Sequence, residues 1–269
     1  MSAIPVLTYH SQNVGGKAHA DNDHTALFED LHALHQSGFR VVPLSQVTDL
    51  LAGNGDGERL ERSVVLTFDD GCNFDVHDLD FPGHGIQHSF LSIMRTFIRD
   101  TSSSPSSLHA TSFVIASKEA RATIDKGSLF GQSWMSDDWW SETDSGGLIA
   151  IENHGWDHNH PDLSGDDRGV FHTVDTHEQC LQQVVQAAGA IAHITGRWPR
   201  YFAYPFGQSS EYIRDEFFPD MGDVHGCQAA FGTDAGPVEP GSNRWNLPRF
   251  VCGRDWNSAS SLIELIKAC

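Results

Sequence analysis

Apolar residues fall along this chain in two alternating rhythms. Ile4–Tyr9, Phe39–Val42, Val64–Phe68, Ala110–Ala116 and Leu148–Glu152 are short runs with the length and apolar density of buried strands. Between them lie stretches whose apolar positions recur three and four apart. Residues 25–36 put Leu27, Phe28, Leu31, Leu34 and His35 at helical spacing, with Asp23 or Thr25 as N-cap and Gly38 as the stop. Ser45–Leu51 reads as a short helix. Residues 86–99 read as another, through Ile86, Phe90, Ile93, Met94 and Phe97. The longest covers 177–194, through Leu181, Val184, Val185, Ala188 and Ile191. Strand candidates Tyr201–Tyr204, Gln228–Gly232 and Arg249–Cys252 follow, then a closing helix near 259–268. Gly53–Gly57 and Ser102–Ser107 read as loops.

This alternation of β and α predicts a parallel α/β arrangement. No composition break marks a linker and no repeat appears, so residues 1–269 read as one domain. In a barrel of this kind, function collects where strands end and loops begin.

Composition narrows the partners. Seventeen Lys+Arg against thirty-six Asp+Glu give a net charge of −19, a field that repels phosphate backbones and anionic lipids. Nucleic acid drops out as a partner, and no apolar run is long enough for a membrane span. The five cysteines (Cys72, Cys180, Cys227, Cys252 and Cys269) are odd in number and widely spaced without a CxxC, which argues against a disulfide scaffold or a cysteine zinc site. Met1–Leu7 has no basic stretch followed by an apolar one. The expectation is a cytoplasmic protein, or an exported one whose signal was removed. Oligomeric state is not legible. Sixteen histidines make metal ligation worth tracing.

Three polar clusters fall at predicted strand ends. Thr67-Phe68-Asp69-Asp70-Gly71 sets two carboxylates after a buried strand, a costly placement unless they are paired or metal-bound; a capped Asp-Gly turn is the plain alternative. His154-Gly155-Trp156-Asp157-His158-Asn159-His160-Pro161 puts three imidazoles in seven residues. Histidines at i and i+4 can share a metal, and a carboxylate from another strand end completes an Asp-His-His site with an open position. The third is Tyr201-Phe202-Ala203-Tyr204-Pro205-Phe206-Gly207, an aromatic strand running into a turn.

Thr67–Gly71 resembles the TFDDG motif of the polysaccharide deacetylases, carbohydrate esterase family 4. His154-x-x-x-His158 is similar to the family's second motif, which usually has Ser or Thr where this chain has Gly155. Phe202–Gly207 resembles the third, in a variant with Ala203 in place of the usual Arg. Pro5–Ser11 and Ala110–Ile115 also look like family strands, and the motifs keep family order over roughly residues 4–256.

The resemblance implies a distorted parallel (β/α) barrel of about seven strands and a divalent metal, usually zinc. Asp70, His154 and His158 would be ligands and Asp69 the general base. The reaction implied is removal of N-acetyl groups from an acetylated polysaccharide or oligosaccharide. An O-acetyl esterase, a cyclic-amide hydrolase or a carbohydrate-binding pseudoenzyme are the alternatives. The metal and a backbone N–H of Tyr204 or Phe206 would hold the oxyanion.

Two departures need substitutes. No histidine follows His225, so the family's late general-acid His is absent; His10, at the end of the first strand, is the candidate. Arg249 is the candidate for the Arg missing at Ala203, with a structural ion pair as its alternative. Trp139, in Trp134–Trp140, would contact glycan, or belong to a buried aromatic cluster. Asp234 would orient the acid or base, or merely serve a turn. The insertion 72–109 reads as a lid or a packing elaboration.

Overall fold

The computed structural model describes residues 3–54, 60–101 and 108–269; Ser102–Ser107 and Gly55–Gly57, both read as loop, lie outside them. Strands β1 (Val6–Tyr9), β2 (Arg40–Val41) and β3 (Ser63–Phe68) come first, followed by a small antiparallel hairpin, β4 (Leu79–Phe81) and β5 (Gly85–Gln87). Then come β6 (Ala110–Val114), β7 (Ile149–Asn153), β8 (Tyr201–Ala203), β9 (Ala229–Phe231) and β10 (Phe250–Val251). Outside the hairpin every pairing is parallel, in the order β10-β1-β3-β6-β7-β8-β9, with β2 against the start of β3. A parallel bridge between Phe231 and Leu247 draws β9 toward the segment that leads into β10. The seven strands thus curl into the distorted (β/α) barrel expected from the sequence.

Strand alternation divides the core in two. Leu7 and Tyr9 of β1 and Leu66 and Phe68 of β3 face outward. They pack with Leu27, Leu31 and Leu34 of α1 (Asp23–Gln36), Phe90, Ile93 and Phe97 of α3 (Phe90–Thr101), and Leu262 and Ile266 of α7 (Ala259–Lys267). Val6, Val65, Phe113, Tyr201, Ala203, Ala229 and Phe231 meet from five strands in a second cluster, which only the concave side of the sheet permits. Helix α2 (Ser45–Leu51) adds Val47 and Leu50 to it. The inward rows therefore run Val6, Thr8, His10 on β1 and Val65, Thr67, Asp69 on β3, with Thr8 and Thr67 opposite one another.

Several local expectations change. Helix α1 is capped by Asn22, whose side chain accepts from the N–H groups of His24 and Thr25, rather than by Asp23 or Thr25. The pattern over 86–99 splits: Ile86 is 70% exposed in β5, and Ser89 caps α3 by accepting from Ser92 N–H. Ile86 shared the helical period without sharing the helix. Helices α4 (Lys118–Ser128) and α5 (Trp140–Gly146) carry too few apolar residues to betray themselves by period. The long helix α6 is continuous through His177–Cys180, Leu181–Gln186 and Ala187–Thr195, with π-helical geometry in its middle stretch. Within the 72–109 insertion, α3 packs on α1 and so belongs to the barrel wall. All five cysteines are free, and no helix among the described residues is long and apolar enough to cross a membrane.

Candidate active site and metal centre

Asp69 and Asp70 leave β3 just as the chain turns. Asp70 takes a left-handed backbone, φ 74°, and Gly71 follows at φ 70°. Gly71 is required twice over: any Cβ there would lie 2.6 Å from Val114 Cγ1. The left-handed turn breaks strand alternation, so two adjacent carboxylates both reach the cavity above the barrel.

Asp69 continues the inward row and meets Arg249. Its two oxygens accept from Arg249 Nη1 and Nη2, each at 2.8 Å. Arg249 also donates to the Gly232 carbonyl at 2.9 Å and to Thr67 Oγ1 at 3.2 Å, and is wholly buried over the Phe113 ring. Burial pushes the Asp69 carboxyl up, but the guanidinium charge outweighs it and holds Asp69 below the ordinary carboxylate value.

His154 extends β7, and its Nδ1 lies 2.9 Å from the Ala203 carbonyl. A carbonyl only accepts, so Nδ1 carries a proton, and Nε2 is the ring atom turned to the cluster, 3.4 Å from Asp70 Oδ1. His158 brings its Nε2 to 3.3 Å from the same oxygen, from a left-handed backbone of φ 61°. Left-handed conformations are sparsely used by non-glycine residues, and here two adjoining site residues hold them. Asp70, His154 and His158 each offer a ligand atom within 4.8 Å of the others, and they form the one such cluster among the described residues. His160 stands outside it, its ring centroid 5.7 Å from that of His158. Burial pushes Asp70 up, while hydrogen bonds from both imidazoles reverse this and leave it well below the ordinary value.

The cluster opens into a cavity of about 350 Å³. His10 lines it, its backbone N–H held by Asp23 at 2.7 Å and its Nδ1 buried without a hydrogen-bond partner. Phe206 also lines it, with its ring edge-on to His158 at 4.5 Å. Other sequence candidates fall elsewhere. Tyr204 is wholly buried; its hydroxyl donates to the Trp245 carbonyl and its backbone N–H to the Phe231 carbonyl, so that N–H is committed. Trp139 is buried, donates to Asn73 Oδ1 and borders a different cavity, beside Arg95 and Glu142. The Asp234 side chain is exposed, and its backbone carbonyl accepts from Arg249 N–H.

Sequence reasoning passed over two polar partners. Gln12 Nε2 donates to Asp70 Oδ2, and its place two residues after His10 was the available signal. Asp75, between the Ser11 and Ser112 hydroxyls, is pushed up to about 7 by burial; those hydrogen bonds pull the other way and the charges of Asp70 and Asp69 add to the rise. Nothing in its sequence setting marked it.

A parallel barrel with an Asp-His-His cluster and a buried Asp–Arg pair at its strand ends defines the class: a barrel protein built around a candidate metal centre. The comparisons make it specific. Residues 102–217, which carry the His154–His158 loop and β8, match the polysaccharide deacetylase family model. The fold is similar to that of Streptococcus pyogenes deacetylase PplD in complex with acetate (14% identity, TM-score 0.67, 98% of this chain and 97% of that one). It is also similar to a de-N-acetylase from Aggregatibacter actinomycetemcomitans (16%, 0.64, 98% and 99%) and to IcaB from Ammonifex degensii (20%, 0.61, 93% and 92%). At these identities the likeness carries the fold. The chain matches no curated protein.

Proposed function

We propose that this chain is a metal-dependent deacetylase that removes N-acetyl groups from an acetylated polysaccharide or oligosaccharide. The observation that carries the reading is the convergence of Asp70, His154 and His158 beside a second carboxylate, Asp69, in one cavity. Two imidazole nitrogens and one carboxylate suit a divalent cation, zinc foremost, with a position left open. The Ala203 carbonyl on His154 Nδ1 is the kind of outer support that metal-binding histidines have. When bound, such a cation supplies Lewis acidity at the acetamide carbonyl and makes water more acidic.

The remaining work belongs to the chain. Asp69 is the general base, taking a proton from the attacking water while Arg249 fixes the carboxylate's orientation. Phe206, at the cavity wall, is the remaining candidate for the backbone donor to the oxyanion. His10 is the general acid that protonates the departing amine. Its ring borders the same cavity, because His10 and Asp69 end neighbouring inward rows.

Zinc-loaded protein incubated with N-acetylglucosamine oligomers should release acetate, and chelation should stop the release. Turnover of acetyl esters alone moves the assignment to an esterase. Tight glycan binding without acetate makes it a binding protein.

A further inference from the structure

Gly155 has no side chain, and the space beside it is filled. A Cβ on Gly155, whose φ is 89°, would lie 3.0 Å from Gln183 Oε1. Gln183 is buried, 4% exposed, and among the described residues its side chain bonds to the segment between the two histidines. Its Oε1 accepts from Trp156 N–H at 3.0 Å and from Asp157 N–H at 3.4 Å. Its Nε2 donates to Asp157 Oδ1 at 2.6 Å. Asp157 is gripped further by Asn159 N–H at 3.0 Å and Arg168 Nη1 at 2.8 Å.

The reach of Gln183 comes from its helix. Leu181–Gln186 is π-helical, and the wider turn re-aims its side chains relative to a regular helix. The same turn takes a second hold: the Val184 carbonyl accepts from Asn153 Nδ2 at 2.8 Å, while Asn153 Oδ1 accepts from Gly155 N–H at 2.8 Å.

We infer that Gln183 is the positioning residue of the metal loop. It fixes the chain at Trp156 and Asp157, so that His158 presents Nε2 beside that of His154. The inference rests on the reading of Asp70, His154 and His158 as metal ligands. Glycine at 155 and glutamine at 183 are therefore matched, since a Cβ at 155, 3.0 Å from Oε1, would crowd the amide.

Cobalt(II) titration followed by visible absorption tests this, because the spectrum reports ligand geometry as well as affinity. Wild type and the exposed control Gln182→Met should bind alike. Gln183→Met keeps the length of the side chain and loses its hydrogen bonds. It should bind cobalt about 10–100-fold more weakly, the range for lost outer-sphere support, with an altered spectrum and a melting temperature close to wild type. Wild-type affinity and spectrum in Gln183→Met would overturn the inference. No cobalt binding by wild type would overturn both the ligand reading and this one. Should Gln183→Met not fold, hydrogen exchange of the wild-type protein decides: slow exchange of the Trp156 amide upholds the anchor, and exchange at the free-chain rate removes it.

Discussion

Arg249 and Asp69 are 180 residues apart in sequence and joined in the barrel interior by two parallel hydrogen bonds of 2.8 Å, with both side chains buried. A desolvated pair of this kind is costly to break from one side, because the survivor is left as an unpaired buried charge. Arg249→Met should therefore lose about 3–5 kcal/mol of stability. The double variant Arg249→Met/Asp69→Asn should recover part of it. Urea denaturation of wild type, Arg249→Met and the double variant measures both; a single-variant loss below about 1 kcal/mol would mean the pair is not desolvated as described.

Asp69 is not a member of the three-residue cluster, so removing its charge should spare the metal. Asp69→Asn should keep stoichiometric zinc and lose about 10²–10⁴-fold in turnover, the usual cost of a general base. Near-normal acetate release by the zinc-loaded variant would place the base elsewhere.

The geometry separates His158 from His160, the other imidazole of the same loop. His158→Ala should lose bound metal, since its Nε2 faces Asp70 at 3.3 Å. His160→Ala should keep it, because His160 is outside the cluster and its Nδ1 lies 3.6 Å from Asp162. Elemental analysis of the two purified variants is sufficient, and metal retained in the His158 variant alone would reverse the assignment.

His10→Ala should fold, keep zinc and lose most of kcat, because expulsion of the amine stalls without a proton donor. Its backbone N–H bond to Asp23 survives the substitution, so the loop geometry is preserved. A structure with a bound amino sugar that places the His10 ring more than one bridging water from the nitrogen would exclude this role.

A pH effect on stability should come from outside the site. The His19 ring lies 2.8 Å from Asp30, which also accepts from Tyr9 and Trp256. Burial pushes His19 down, but the hydrogen bond and charge of Asp30 prevail and raise it above its ordinary value. A folded value above the unfolded one means that the contribution is whole below about pH 6.5 and lost as pH rises through the folded value. Wild type should thus lose stability on moving from pH 6 to pH 9, and His19→Gln should lose less over the same interval. Parallel melting curves for the two would remove His19 from the account.

The alternation of short apolar runs with helical periods was enough to read the parallel α/β chain, because buried strands and amphipathic helices write their periods locally. The three motifs were legible for a related reason: each is a contiguous stretch at a strand end. Where local pattern lied, as at Ile86, or was too sparse, as in Lys118–Ser128, a cap or a turn elsewhere decided the element. Tertiary structure alone decided which atoms meet. The left-handed turns at Asp70 and His158 reverse the directions that strand or helix spacing would assign. Tyr204 followed from the family resemblance and Trp139 from its indole-rich setting, and only the folded chain shows that both are buried with hydrogen bonds already made. Gln183 lies in no motif, and its partnership with Asp157 depends on a π turn and on a helix packed beside β7. Sequence period constrains one element at a time. Contacts across 26 residues, or across 180, depend on how the sheet curls and how the elements register against one another.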